Sequence, residues 1–322
     1  MTHRCFGLLL LFFAVMAGGC EDPSPSDTSR SVTDDLGRTV SFTPSPQRVI
    51  SLAPNLTELV YAAGAGSQLV AVTSSGDYPP PVDTLPRVSA LPVDFEAVTA
   101  QEPDLALATD QINAPGDTDT FEALDLPLYF FSFTSLDDIL TSIETLGHLL
   151  DTEPAAGDSA AALRSSLDAL RARTDSIPDA QRPRVLVLVG DDTLYSFGRG
   201  SYVHTLVEVA GGTSITADIV SQAPTLSDEY VLQEKPDVIL GLWGPDYDPD
   251  RLLDLHPTWD VVPALQNDRV LSVPASLIAR PGPRVLEGAR LLAQHLHPKR
   301  FSSLPPSTDA VRTASTSGPL TP

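Results

Sequence analysis

Two parallel-sheet α/β lobes, Rossmann-like and joined by a long backbone helix with a cleft between them, are the architecture this 322-residue chain predicts, and three observations carry it. Short continuous apolar runs alternate with segments of helical periodicity, the pattern of strands buried on both faces. That pattern occurs twice, on either side of a stretch with helical periodicity and no strand signal. A unit of acid, loop and strand then repeats at the same spacing in both halves, as expected of two related lobes.

The N-terminal end sets the compartment. Arg4 precedes an uncharged apolar run from Phe6 to Ala17, too short for a spanning helix and right for a signal-peptide core. The run closes on Ala17-Gly18-Gly19-Cys20, small residues before a cysteine, which resembles a bacterial lipobox and predicts cleavage before Cys20 and lipidation of its thiol. Cys5 leaves with the signal, so Cys20 has no disulfide partner and stability must come from a core. Ser, Asp, Pro and Thr dominate Glu21 to Thr33, which reads as a disordered tether.

In the first lobe the expected strands are Val49 to Leu52, Leu69 to Val72, Leu105 to Ala108 and Leu128 to Phe131. Between the first two, Leu56, Leu59, Val60 and Ala63 fall at helical spacing, Asn55 and Glu58 offer a capping box and Gly64 a stop. Two helices follow without a strand, one with Leu136, Ile139, Leu140, Ile143 and Leu150 inward and one with Leu163, Leu167 and Leu170. The second starts at Thr152 and Pro154 and spans roughly 35 Å if it runs to Ile177, long enough to join two lobes. Strands resume at Val185 to Val189, Val238 to Leu242 and Val270 to Val273. The resulting plan is signal peptide 1–19, lipidated tether 20–35, first lobe 36–135, interlobe helices 136–180, second lobe 181–298 and disordered tail 299–322.

The repeat is sharp. Glu96 precedes Pro103-Asp104 and a strand by seven residues, and Glu229 precedes Pro236-Asp237 and a strand by the same interval. Each glutamate follows a capping residue, Asp94 or Ser227, by two places, where a helix N-terminus favours an acid.

Composition excludes several functions. The formal charge is -22, and loss of residues 1–19, whose one charged side chain is Arg4, makes it -23, so nucleic acid is not a partner. Gly64-Ala65-Gly66 follows a helix and lacks a third glycine, and Gly198-Arg199-Gly200-Ser201 is neither a phosphate loop nor a nucleophile elbow. His295 and His297 lie on different helix faces, His148, His204 and His256 have no ligand spacing, and both methionines, Met1 and Met16, leave with the signal. No enzyme is expected, no intrinsic cofactor and no metal.

The order and spacing of RVISLAPNLTELVYAAGAG from Arg48, SSGDYPP from Ser74, LSDEYVLQEKPDVIL from Leu226 and RPGPRVLEGARLLAQHLHP from Arg280 resemble a family. It is the helical-backbone class of ABC-importer binding proteins, periplasmic receptors for cobalamin and iron chelates, and the resemblance covers about residues 36 to 298. It implies a monomeric extracytoplasmic receptor, lipid-anchored to a membrane, that closes a ligand cleft on a corrinoid or ferric siderophore and delivers it to an ABC permease. It implies that Glu96 and Glu229 dock arginines of that permease, and that Tyr195, Phe197 and Arg280 contact ligand, with Tyr78 at the cleft edge. Where cobalamin receptors place tryptophans this chain has Leu91, Thr109 and Pro224-Thr225, and Trp243 at a strand end offers a flat surface instead. The alternatives are a haem or free-metal receptor and a hydrolase with an unrecognised site.

Overall fold

The apolar runs form the strands they predict. The computed structural model describes residues 30–42, 45–244 and 246–301. A hairpin of β1 (Arg30–Thr33) and β2 (Thr39–Phe42) precedes the first lobe. That lobe carries β3 (Val49–Ser51), α1 (Pro54–Ala62), β4 (Leu69–Thr73), β5 (Arg87–Val88), α2 (Phe95–Thr99), β6 (Leu105–Thr109), α3 (Thr118–Ala123) and β7 (Leu128–Phe131). Helices α4 (Leu136–Leu149) and α5 (Glu153–Thr174) lead to the second lobe. It comprises β8 (Arg184–Leu188), α6 (Tyr202–Val209), β9 (Thr213–Ser214), α7 (Asp228–Glu234), β10 (Val238–Gly241), α8 (Asp250–Leu255), α9 (Pro263–Gln266), β11 (Val270–Ser272), α10 (Ala275–Ile278), α11 (Val285–Leu296) and α12 (Pro298–Phe301).

Both lobe sheets are wholly parallel, in the orders β5-β4-β3-β6-β7 and β11-β10-β8-β9. Each order reverses around its first strand, so each sheet has a switch point, at β3/β6 and at β8/β10, where loops diverge and leave a crevice at the strand carboxyl ends.

One apolar cluster runs through both lobes by way of the helices between them, joining Leu56 and Val60 of α1, Ile139 and Ile143 of α4, Leu163 and Leu167 of α5, Val203 and Leu206 of α6, and Ala289 and Leu292 of α11. Each buried leucine or isoleucine contributes roughly 1.5–3 kcal/mol, so separating the lobes completely would expose a large part of the core. The opposite sheet faces close over separate clusters around Phe121 and Phe130 and around Trp259 and Ile239. Helices α4 and α5 cross closely because Gly147 lacks a side chain: a Cβ there would stand 2.3 Å from that of Ala156. Gly64, at φ +80°, ends α1 in the left-handed region as expected.

Four expectations change. Residues 30–33 are a strand rather than tether, because the buried Asp34 accepts from Leu36 N, Arg38 N and the Arg38 guanidinium and ties the hairpin to the β7 edge through Phe130 N. Residues 299–301 belong to α12, where buried Phe301 packs under Arg173. The strands β5 and β9, two residues each, carry no apolar run and were not anticipated. Asn55 and Glu58 form no capping box: Ala53 is the N-cap, Pro54 opens the helix, and Glu58 has other partners.

Candidate functional site

The repeated unit has the same mechanics in each lobe. Asp104 accepts from Gln47 N at 2.7 Å and Arg48 N at 2.9 Å, while Arg48 Nε donates to Glu102 O. Asp237 accepts from Arg184 N at 2.8 Å, while Arg184 Nε donates to Glu234 O. Glu102 and Lys235, each directly before the repeated proline, both take positive φ, +48° and +47°. The Pro-Asp repeat thus pins the start of the first strand of each lobe. Glu96 and Glu229 remain outside this machinery, both exposed at the second position of α2 and α7, whose caps are Asp94 and Ser227 as the spacing predicts. The Glu229 carboxyl is held below the usual range by hydrogen bonds from its own backbone and from Ser227.

The carboxyl ends of the two sheets meet at an ion cluster. Glu58 projects from α1 with its side chain 1% exposed, and Arg284 grips it through Nε to Oε2 at 2.9 Å and Nη2 to Oε1 at 2.6 Å. Arg280 Nη1 reaches the same carboxylate at 3.3 Å and Asp77 Oδ1, in the loop after β4, at 2.6 Å. Partial burial opposes ionisation of Asp77, but the Arg280 hydrogen bond and charge outweigh it and hold the carboxyl below its usual range. Arg284 also lies over the Tyr78 ring, 4.3 Å from its centroid. Since Glu58, Asp77 and Tyr78 belong to the first lobe and both arginines to the second, the cluster joins the lobes at one side of a cleft lined by strand carboxyl ends.

The loops at those ends expose apolar surface. Leu91 follows β5, Ile112 follows β6, Val189 and Tyr195 follow β8 and Val220 follows β9, and these are five of the eight exposed large hydrophobic side chains among the described residues. Tyr195 is fixed by its backbone, which accepts from Val189 N at 2.9 Å and bridges to Thr225, yet the residue is 51% exposed. Phe197, two residues on, is half-buried against the shared core. In the first lobe the buried Asn113 accepts from Thr109 N and donates to Leu52 O and Ala90 O, stitching the ends of β3, β5 and β6 together. Hydrogen bonds therefore tie the rim loops beside Leu91, Ile112, Val189 and Tyr195.

Trp243 sits differently from expectation. The ring crowds Gly241, where a Cβ, if present, would be 1.9 Å from it, and it stacks on Tyr247 at 3.9 Å. Trp259 is fully buried against His256, as a core residue. A cavity of about 270 Å³ beside Arg38, Phe121 and Leu128 lies at the amino end of β7, away from the cleft. Cys20 falls outside the described residues.

Sequence reasoning missed Glu58, Asp77, Arg284 and Asn113. The available signal was polar: Asn55, Thr57 and Glu58 interrupt α1, and the helix has no exposed face to put them on.

Comparison with known proteins agrees with this geometry. The chain is 25% identical over 306 residues, 91% of its length and 96% of the relative's, to an uncharacterized ABC transporter substrate-binding lipoprotein, YvrC, of Bacillus subtilis. It is 30% identical over 252 residues, 78% of its length and 88% of the relative's, to the vitamin B12-binding protein of Pectobacterium carotovorum. The crystal structure of the periplasmic vitamin B12-binding protein BtuF of Vibrio cholerae superposes with a TM-score of 0.66 at 30% identity, over 80% of this chain and 99% of that one. The periplasmic binding protein family model matches residues 49–277, from the first strand of the first lobe to the last helix before the ion cluster, and the chain belongs to that family.

Proposed function

We propose that this protein captures a corrinoid or ferric chelate outside the cytoplasm and hands it to an ABC import permease, without catalysis. The observation that carries the reading is exposed apolar surface on loops from both lobes, led by Tyr195, at the strand carboxyl ends. Such loops bury a large ligand by apolar contact and orient it with few polar groups. Tyr195 and Phe197 supply aromatic surface, and Tyr78 and Arg280 form the rim where the lobes join. Trp243 contributes only if ligand draws it from the Tyr247 stack. Glu96 and Glu229 dock the permease, one per lobe, and a diacylated Cys20 anchors a monomer to the membrane. The likeness to a vitamin B12-binding protein and to a substrate-binding lipoprotein supports this reading.

Thermal-shift and calorimetric titration tests it with cobalamin, a precursor corrinoid, ferric hydroxamate and catecholate siderophores, haem, and zinc and manganese salts. A saturable one-to-one response to a chelate is expected. A response confined to zinc or manganese would overturn the reading.

A further inference from the structure

We propose that the cleft selects a chelate carrying no net negative charge, because the arginines at its junction are consumed by ion pairs between the lobes. The inference rests on the chelate-receptor reading above and narrows its ligand class.

An acidic receptor needs uncompensated cations in its cleft to hold an anion. Two candidates, Arg280 and Arg284, stand where the lobes meet, but they face two carboxylates, Glu58 and Asp77, and the four charges cancel. Glu58 is enclosed, so water cannot replace either guanidinium there, and an anionic ligand that drew Arg280 or Arg284 away would strand a buried carboxylate. The remaining charges in the strand-end loops are mostly acidic. Asp110 accepts from Ser132, and Asp191 is held by Arg251. Asp192, Asp246 and Asp248 are exposed and none of them forms a salt bridge among the described residues, although Asp192 lies in the field of Arg251. Arg199, in the loop before α6, is the basic side chain of these loops left without a carboxylate partner among the described residues, one cation against that excess. The apolar contacts from Leu91, Ile112, Val189 and Tyr195 carry no charge requirement of their own. Affinity therefore comes from apolar burial, and the local field sets the sign that is refused.

Calorimetric titration of the mature protein and its Asp77→Asn variant, at low and high salt, decides the point. The probes are cyanocobalamin and a neutral ferric tris-hydroxamate against a trianionic ferric tris-catecholate. In the unsubstituted protein at least one neutral probe binds, and the tris-catecholate binds at least about tenfold more weakly at low salt, a gap that narrows at high salt. Asp77→Asn removes the exposed partner of Arg280 and leaves Glu58 in place, so it raises the ratio of anionic to neutral affinity by about tenfold. Tris-catecholate binding as tight as that of the neutral probes overturns the charge inference and leaves the chelate-receptor reading standing. An unchanged ratio in Asp77→Asn also overturns it, because the refusal would then have another cause. Failure of all three probes removes the parent reading and this one with it.

Discussion

Glu58 and Arg284 meet across the lobe boundary as a two-pronged pair, 2.6 and 2.9 Å, with the carboxylate enclosed and Tyr78 beneath the guanidinium. A planar fork matched to a carboxylate is the strongest form of such a contact, and burial makes it costly to break on one side. It bears on how far the lobes can part, since the shared core already opposes wide opening.

Glu58→Gln is expected to lower stability by about 3 kcal/mol, read as a drop in the urea midpoint at unchanged slope. Arg284→Gln should cost a similar amount. The double substitution should cost clearly less than the sum, because each single change leaves the other partner unpaired. Additive losses would mean that the pair is not coupled.

Gly147→Ala places a methyl group 2.3 Å from the Ala156 Cβ and forces α4 and α5 apart. The expected loss is about 2 kcal/mol, or a fall of about 4–8 °C in Tm, despite the better helix propensity of alanine. Ala156→Gly in the same chain should recover part of it. A stabilised Gly147→Ala variant would show that the helices have room to separate.

Glu96→Ala and Glu229→Ala should each leave ligand affinity within about twofold, since both carboxylates are exposed in the first turns of α2 and α7 and neither is among the proposed ligand contacts. Uptake by cells should fall in each variant and by at least about tenfold in the double, and raised salt should slow association with the permease. Normal uptake in the double variant would leave the two acids with only their helix-end role.

Stability should decline as pH falls below about 6.5. Burial holds the His295 imidazole below its usual value of 6.5, aided by the Arg269 guanidinium at the end of α11, and burial likewise lowers His297. Above 6.5 both states are neutral and no contribution varies. Below it the unfolded chain takes up protons that the folded chain refuses, so folding loses free energy until pH passes the folded values. His295→Gln should flatten part of the decline in urea midpoint between pH 7.5 and 5.5, and adding His297→Gln should flatten it further.

Local signals in the chain reach a long way. The strand runs at 49–52, 105–108, 128–131 and 238–242, the stop at Gly64 and the caps at Asp94 and Ser227 each follow from side-chain chemistry within a few residues, and the structure forms them there. A buried parallel strand needs only a continuous apolar run, and a helix start only an acceptor for its free N–H groups. The hairpin was hidden because Arg30–Thr33 is polar and is held through Asp34 and Arg38, whose partners on β7, Phe130 and Leu128, lie 96 and 90 residues away.

The site divides in the same way. Sequence resemblance gave Tyr195 as a ligand contact, but it could not say that the backbone is pinned while the ring stays exposed, nor that Trp243 folds onto Gly241 and Tyr247. It gave Arg280 as a ligand contact, whereas only the meeting of lobes decides that Arg280 and Arg284 face Glu58 and Asp77. Periodicity reports which residues avoid water and is blind to what they meet, because a helix side turned toward another lobe carries the same polar letters as one turned toward solvent. The amino-acid order determined two parallel-sheet lobes and the helices between them, and the packing of one lobe on the other decided which charges are left to meet a ligand.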